Sequence, residues 1–112
     1  MITGWRRQML SRNLSFATVD AQQRIVRRFH AYTDAHPWKW SPGDLEKWTA
    51  ELRTDGGLAR STVRSYQHAI RHFLDYVTDA RYGWVEECAR RFDTHPVQIC
   101  SEWNMAVHAT DY

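Results

Sequence analysis

Residues 14–33 and 58–77 carry the same pattern twice, 44 positions apart, and this repeat constrains the fold more than any other feature. Seven residues of the first copy recur in register in the second: Leu14, Thr18, Val19, Gln23, Arg27, Phe29 and Tyr32 match Leu58, Thr62, Val63, Gln67, Arg71, Phe73 and Tyr76. In both copies the apolar residues recur at the spacing of an amphipathic helix of about five turns. We therefore expect two related helices, each with an apolar inner face and a basic outer face.

Capping and turn residues divide the whole chain into helices and leave no convincing strand. The expected helices cover 3–12, about 17–35, 41–56, about 60–80, about 84–92 and 96–106. Ser15 or Thr18 can cap the second helix through a side-chain oxygen. Ser41 is the expected cap of the third helix, because Pro42 suits the first helical position and Asp44 the third.

The fourth helix has the clearest buried face, which is formed by Val63, Tyr66, Ile70, Phe73, Leu74 and Val77. A chain of 112 residues with 43% apolar and 25% charged residues is ordinary for one small globular domain. We therefore expect an all-α fold, a compact orthogonal bundle of four main helices plus one or two short ones. The domain is expected to span 1–105, and 106–112 to begin a linker.

Six tryptophans are many for this length, so we expect an unusually aromatic core or contact surface. We assign three of them to the core: Trp5, Trp48 and Trp84. Trp40 and Leu45 occupy the two positions of a hydrophobic staple at the start of the third helix. The alternative for Trp40 is that it stacks on a nucleic-acid base together with Trp38, which lies on the other side of Lys39.

The remaining residues argue against a metal site and a catalytic centre. Cys88, His95, Cys100 and His108 are separated by seven, five and eight residues, which match no structural zinc pattern, and buried unreactive thiols are the expected state. No phosphate-binding loop or nucleophile elbow is recognisable, so we expect no cofactor and no small-molecule ligand. The lack of a signal peptide and of a membrane-spanning apolar run predicts a cytoplasmic protein with reduced thiols and no membrane partner.

Polar and basic residues fill the outer face of both repeat helices. On the fourth helix these residues are Ser61, Arg64, Ser65, His68, Arg71 and His72, and on the second they are Arg24, Arg27 and Arg28. Helix faces of this composition fit the major groove of DNA, where Arg addresses guanine edges and hydroxyls reach phosphates. The alternative is an ordinary charged solvent face, which the small net charge of +2 leaves open.

Two motifs make the repeat more specific. They are Leu14-Ser15-x-x-Thr18-Val19 followed by Val26 and Phe29, and Thr62-Val63-x-x-Tyr66 followed by Ile70 and Phe73. Together they resemble the N-terminal core-binding domain, which has a SAM-like fold, of tyrosine recombinases in the phage-integrase family. The resemblance covers about 3–105, and segments 81–85 and 95–97 are similar to integrases of the actinobacterial and mycobacteriophage type. Gln22 and Ala59 depart from the pattern, since the family often has Tyr and Ser there.

The resemblance implies a DNA-binding domain that holds one face of the core recombination site as half of a clamp. Its implied partners are double-stranded DNA and other integrase protomers in a synaptic complex. The implied DNA contacts are Arg24, Arg27, Arg28, Arg60, Ser61, Thr62, Arg64, Ser65, His68, Arg71 and His72. Within this set Ser61 and Thr62 are phosphate candidates, whereas Arg64 and His68 are candidates for base edges. Arg27 and Arg71 fit a structural role equally well.

The family's catalytic half has no counterpart in this sequence. No Arg, Lys, His-x-x-Arg and His set follows the helical region, and Tyr112 lies in no context that suits a nucleophile. We therefore expect no enzymatic activity from this chain. Its parent would cut and rejoin DNA through a tyrosine–DNA linkage without metal or nucleotide.

A protein-interaction or oligomerisation module is the alternative reading. The first and last helices, which carry Trp5 and Trp103, could dock on a neighbouring protomer or on another protein. This reading overlaps with the first, because the core-binding domains of the family also contact one another.

Overall fold

The computed structural model describes residues 1–106, and over this range the chain is helical without any strand, which confirms the all-α prediction. Its helices are α1 (Ile2–Ser11), α2 (Phe16–Thr33), α3 (Pro42–Thr54), α4 (Arg60–Thr78) and α5 (Trp84–Phe92). Short 3-10 helices cover Pro37–Lys39 and Ala80–Tyr82. Four main helices therefore form the bundle, and α5 is the short additional helix. Of the expected linker over 106–112, Ala106 still packs against the core and donates its amide to Gln67, and residues 107–112 lie outside the described residues.

The predicted last helix over 96–106 is wrong, because residues 94–106 form no helix. Polar side chains bind the backbone of this segment instead of leaving it to form helical hydrogen bonds. Asn104 donates to the Ile99 carbonyl at 2.8 Å and accepts from the Ser101 amide at 2.9 Å. Gln98 donates to the Arg71 carbonyl of α4 at 3.0 Å. The segment is thus held against α4 by long-range bonds that no local pattern reveals.

Local capping chemistry behaves as predicted at the starts of α2 and α3. Ser15 Oγ accepts the Thr18 amide at 3.1 Å, so Ser15 rather than Thr18 caps α2. At α3, Ser41 Oγ accepts the Asp44 amide at 3.3 Å, and the Asp44 carboxylate accepts the Ser41 amide at 2.9 Å. This reciprocal capping box satisfies two amides that the helix itself cannot pair.

The sequence repeat is also a structural repeat. The turns before α2 and α4 both use a left-handed residue, Asn13 with φ 64° and Gly57 with φ 62°. The residues that cap the two helices have nearly the same backbone angles, with φ −65° and ψ 151° at Ser15 and φ −64° and ψ 152° at Ala59. Because α1 packs against α2 as α3 packs against α4, the bundle consists of two similar helical hairpins.

The repeat helices α2 and α4 pack against each other in opposite directions. His72 Nδ1 lies 3.3 Å from Gln22 Oε1, and Arg28 Nη1 donates to Tyr66 Oη at 3.0 Å. Each contact is the repeat equivalent of the other, since Gln22 corresponds to Tyr66 and Arg28 to His72. An approximate two-fold axis therefore passes between the helices.

Ile25 of α2 and Ala69 of α4 are a second pair of equivalent residues. Both lie midway between the two polar contacts, and Ala69 is fully buried. Alanine leaves room for the longer isoleucine side chain, so α2 and α4 can pack closely at the axis.

Aromatic residues fill the core, as the number of tryptophans predicts. Phe29 of α2 contacts Trp40 and Trp48 with ring centroids 4.7 and 4.9 Å apart. Its repeat equivalent, Phe73, contacts Trp5 at 5.3 Å in an edge-on arrangement. The core assignments of Trp5 and Trp48 are confirmed, and both rings are buried.

Trp84 differs from that expectation, because it is half-buried at the edge of the core. Its indole N–H donates to Tyr76 Oη at 3.3 Å, so the polar atom of the ring has a partner within the bundle. Tyr66, predicted on the buried face of α4, is also half-buried. Indole and phenol groups favour such positions because their polar atoms keep partners there.

Gln23 and Gln67, which are equivalent in the repeat, are the buried polar residues among residues 1–106. Gln23 accepts from Arg6 Nη1 at 2.8 Å and thereby contacts α1. Gln67 donates to Thr49 Oγ1 of α3 and to the Asn104 carbonyl, both at 3.1 Å. Each glutamine therefore ties its own helix to the preceding one, and Gln67 also holds the C-terminal segment.

Candidate nucleic-acid interface

A cluster of basic side chains lies at the surface where α2 meets α4. We call it the α2–α4 seam and define it by Arg24 and Arg28 on α2 and by His68 and His72 on α4. Residues four apart share a helix face, so each pair forms one row. Arg24 corresponds to His68 and Arg28 to His72, and the approximate two-fold axis relates the two rows. All four side chains are exposed.

Arg28 is fixed in place by Tyr66 of the opposite helix. Its guanidinium carbon lies 5.5 Å from the Tyr66 ring centroid, in addition to the hydrogen bond with the hydroxyl. The Tyr66 ring in turn stacks on Trp48 at 5.9 Å. A cation held against an aromatic face loses little further rotamer entropy when it binds an anion. Arg28 is therefore preorganised at the seam.

His72 lies in a locally positive environment. Its ring centroid is 6.2 Å from that of His68, one turn away on α4. Burial lowers the pKa of His72 below its usual value, and the charges of His68, Arg12 and Arg71 lower it further, whereas Asp75 acts in the opposite direction. A depressed imidazole pKa caused partly by neighbouring cations indicates that positive charge accumulates at this part of the surface.

No carboxylate forms an ion pair with a seam residue within the part of the chain that the structure describes, although Asp75 lies close enough to act on His72. The four ion pairs over residues 1–106 engage Arg6, Arg81, Arg90 and Arg91 with Asp20, Asp79 and Glu87. None of them includes a residue of the seam. An unneutralised cluster attracts phosphate more strongly than the same number of cations paired with acids.

The other basic residues predicted at the interface lie away from the seam. Arg27 faces the α1 side of α2, where it lines a cavity of about 330 Å³ with Met1 and His30. Arg60, Arg64 and Arg71 follow a second row on α4, beside the row of His68 and His72. Arg64 is half-buried in this row, and the Arg71 carbonyl is engaged by Gln98.

The three hydroxyl residues predicted to contact DNA, of which Ser61 and Thr62 are the phosphate candidates, lie at the start of α4. Ser61 and Ser65 are exposed on the same face as His68 and His72, whereas Thr62 is half-buried. The Ser65 hydroxyl donates to the Ser61 carbonyl at 3.1 Å. Small side chains therefore continue the basic row of α4 toward its N-terminus.

Sequence reasoning missed three residues that shape the seam. Gln22 and Tyr66 make the contacts across the axis, and Arg12, after α1, places its charge near His72. The repeat contained a signal for the first two, because Gln22 and Tyr66 occupy equivalent positions, each two residues before the first basic residue of its row. No sequence pattern connects Arg12 to His72.

The cysteines are buried free thiols, as predicted. Burial raises the pKa of Cys100 to about 12 and also raises the pKa of Cys88. Among residues 1–106, no three His, Cys, Asp or Glu side chains are grouped so that they could hold a metal ion. His108, the fourth member of the rejected zinc set, lies outside that range.

The tryptophans range from fully buried to almost fully exposed. Trp5 is 1% exposed, so the expectation that it could dock on a partner is wrong, whereas Trp103 is 89% exposed. Trp40 is buried and donates to the Ala35 carbonyl at 2.9 Å, which supports the staple and leaves no surface pair for base stacking. Trp38 stacks instead on His36 and Phe92, with ring centroids 4.6 and 4.3 Å away.

Comparisons with known proteins yield no relative: no protein-family model, no curated protein and no solved structure matches this chain. Over residues 1–106, none of the helices combines the length and the apolar character that crossing a membrane requires. The geometry of the seam therefore carries the functional argument.

Proposed function

We propose that this domain binds double-stranded DNA through the α2–α4 seam. The observation that carries the proposal is the arrangement of four exposed basic side chains in two equivalent rows, with no carboxylate paired to them among the described residues. Phosphate contacts from Lys, Arg and protonated His supply most of the affinity of such surfaces. Charge that is clustered in this way explains DNA binding despite a net charge of only +2.

The two-fold character of the seam suits a duplex rather than a single strand. The strands of B-DNA are themselves related by local two-fold axes, so equivalent rows on α2 and α4 can contact phosphates of opposite strands. Ser61 and Ser65 add only small side chains beside the basic row of α4, which permits a close approach of the sugar-phosphate backbone.

Within this function, we assign the chain to the core-binding domains of tyrosine recombinases. The support is the resemblance of the two motifs in α2 and α4 and the duplicated helical bundle in which they lie. The domain then acts as one half of a clamp on a core recombination site, with other protomers as partners. Strand exchange is left to a catalytic domain elsewhere in the parent protein.

Two charge-matched double variants test the proposal. We expect Arg24→Ala/Arg28→Ala to weaken binding to a duplex of about 30 base pairs, roughly three helical turns. The slope of log K against log salt should fall by about 2, since each lost phosphate contact removes about 0.9. The control, Arg90→Ala/Arg91→Ala, removes two exposed arginines from α5 and should leave the slope unchanged.

Equal losses of DNA affinity in the two double variants would show that only the overall charge matters. They would refute the assignment of DNA binding to the seam. Melting temperatures of both variants must accompany the titrations, because Arg28 also contacts Tyr66. A fall in affinity that is matched by a loss of folded protein would assign Arg28 a structural role.

One observation favours a second function, which is association with another protein. Trp103 exposes 89% of its surface, and exposed tryptophans often anchor protein interfaces. Sedimentation of the wild-type domain without DNA, compared with Trp103→Ala, distinguishes this function. Self-association that Trp103→Ala abolishes supports it, whereas a monomer at all concentrations removes oligomerisation from consideration.

A further inference from the structure

The two rows of the seam differ in one chemical respect: α2 contributes arginines where α4 contributes histidines. Arg24 and Arg28 carry their charge and their hydrogen-bond donors at every physiological pH. His68 and His72, at the equivalent positions, gain a positive charge only when they bind a proton. A phosphate that meets the α4 row therefore meets groups whose charge depends on pH.

The contact with Gln22 determines which ring nitrogen of His72 can take up a proton. An amide oxygen can only accept hydrogen bonds, so Gln22 Oε1, at 3.3 Å, favours the proton on Nδ1 in the neutral ring. We infer from this contact that Nε2, on the other side of the ring, carries a lone pair at neutral pH. A lone pair repels a phosphate oxygen, whereas a proton on Nε2 makes it a charged donor.

The groups that face His72 come from every element packed against it. The charged and titratable ones are Arg12 after α1 and His68, Arg71 and Asp75 on α4, whereas α2 contributes the uncharged Gln22. Asp75 is itself engaged, because Gln98 of the C-terminal segment donates to its carboxylate at 2.7 Å. Burial and then the neighbouring cations lower the pKa of His72, and a bound phosphate would add a negative charge that raises it again.

We propose that the α4 row is a phosphate site that fills only when His72 Nε2 takes up a proton from solvent, so that DNA binding consumes about one proton. The arginines of α2 form the other half of the contact at any pH. This inference rests on the proposed DNA-binding function and adds a pH-dependent half to the same surface.

Proton uptake can be measured directly by calorimetry of duplex binding in two buffers with different heats of ionisation. We expect about one proton taken up near pH 7 by the wild-type domain, and an affinity that rises as pH falls from 7.5 to 6.0. The rise is limited to about tenfold per pH unit for one proton. His72→Arg should bind with little proton uptake and with nearly the same affinity at both pH values.

Two further variants keep the result interpretable. His72→Gln should lose the pH dependence and bind as weakly at pH 6.0 as the wild type does at pH 7.5. The control His30→Gln, which alters an exposed histidine on the α1 side of α2, should keep the wild-type uptake. Proton uptake by His72→Arg equal to that of the wild type would overturn the inference.

These experiments also distinguish failure of the pH-dependent phosphate site from failure of the DNA-binding function. Binding that depends on Arg24 and Arg28 but consumes no proton refutes the phosphate site on α4 and leaves the DNA-binding function intact. No saturable duplex binding by the wild-type domain at either pH refutes the function, and the inference falls with it.

Discussion

Replacement of Gln67 by leucine tests whether the bundle depends on its buried glutamines. Gln67 is 1% exposed and makes three hydrogen bonds, to Thr49 Oγ1, to the Asn104 carbonyl and from the Ala106 amide. Leucine has a similar volume, so Gln67→Leu removes the bonds without a large cavity. At about 1 kcal/mol net per bond, the loss should be about 2 to 3 kcal/mol.

The assay is equilibrium unfolding in urea combined with amide hydrogen exchange. The Ala106 amide should lose its protection in Gln67→Leu, because that segment is then no longer held against α4. Gln23→Leu is the matched comparison. It loses two bonds instead of three, a 2.8 Å bond from Arg6 and a 3.4 Å bond to the Ile2 carbonyl, and Gln23 is 9% exposed, so its cost should be smaller. Unchanged stability with intact protection at Ala106 would show that leucine packing compensates and would refute the reasoning.

Three further changes test the fold. In Gly4→Ala, the new Cβ would overlap Tyr76 Oη, so the variant should lose about 1 kcal/mol in urea unfolding although alanine favours helices. The same change in a Tyr76→Phe background should cost less, and an equal cost in both would contradict the overlap. Ser41→Ala removes one bond of the capping box and should cost about 1 kcal/mol in thermal unfolding; no shift in melting temperature would show that water replaces it. The free energy of unfolding should also fall as pH rises above about 9, because Cys100 keeps its proton in the folded state up to a pKa of about 12 and loses it earlier when unfolded. Cys100→Ala should flatten this pH dependence of stability. An unflattened profile would assign the pH dependence to another group.

Local features of the fold could be predicted from the sequence, and long-range ones could not. Ser15 and the Ser41 capping box follow from side chains within three residues of the amides they bind. Pro96 also suits the first turn of a helix, yet Gln98 binds α4 and the chain does not become helical. A helix signal near a chain end is overridden when distant polar partners satisfy the backbone.

The candidate site shows the same division. Periodicity alone placed Arg24, Arg28, His68 and His72 on the outer faces of two related helices, and the structure places them there. It could not show that the helices run in opposite directions, because that depends on the pairing of Gln22 with His72. The role of Arg12 needed the three-dimensional structure for the same reason.

The pair at the axis, Ile25 and Ala69, shows what covalent fusion of two similar hairpins allows. In a symmetric homodimer a residue on the two-fold axis must meet an identical copy of itself, so a bulky side chain collides with another and a small one leaves a void. Two copies within one chain are free of that constraint, and here one has become large where the other is small. The same freedom permits one copy to contact a ligand through side chains of permanent charge, and the other through side chains whose charge depends on pH.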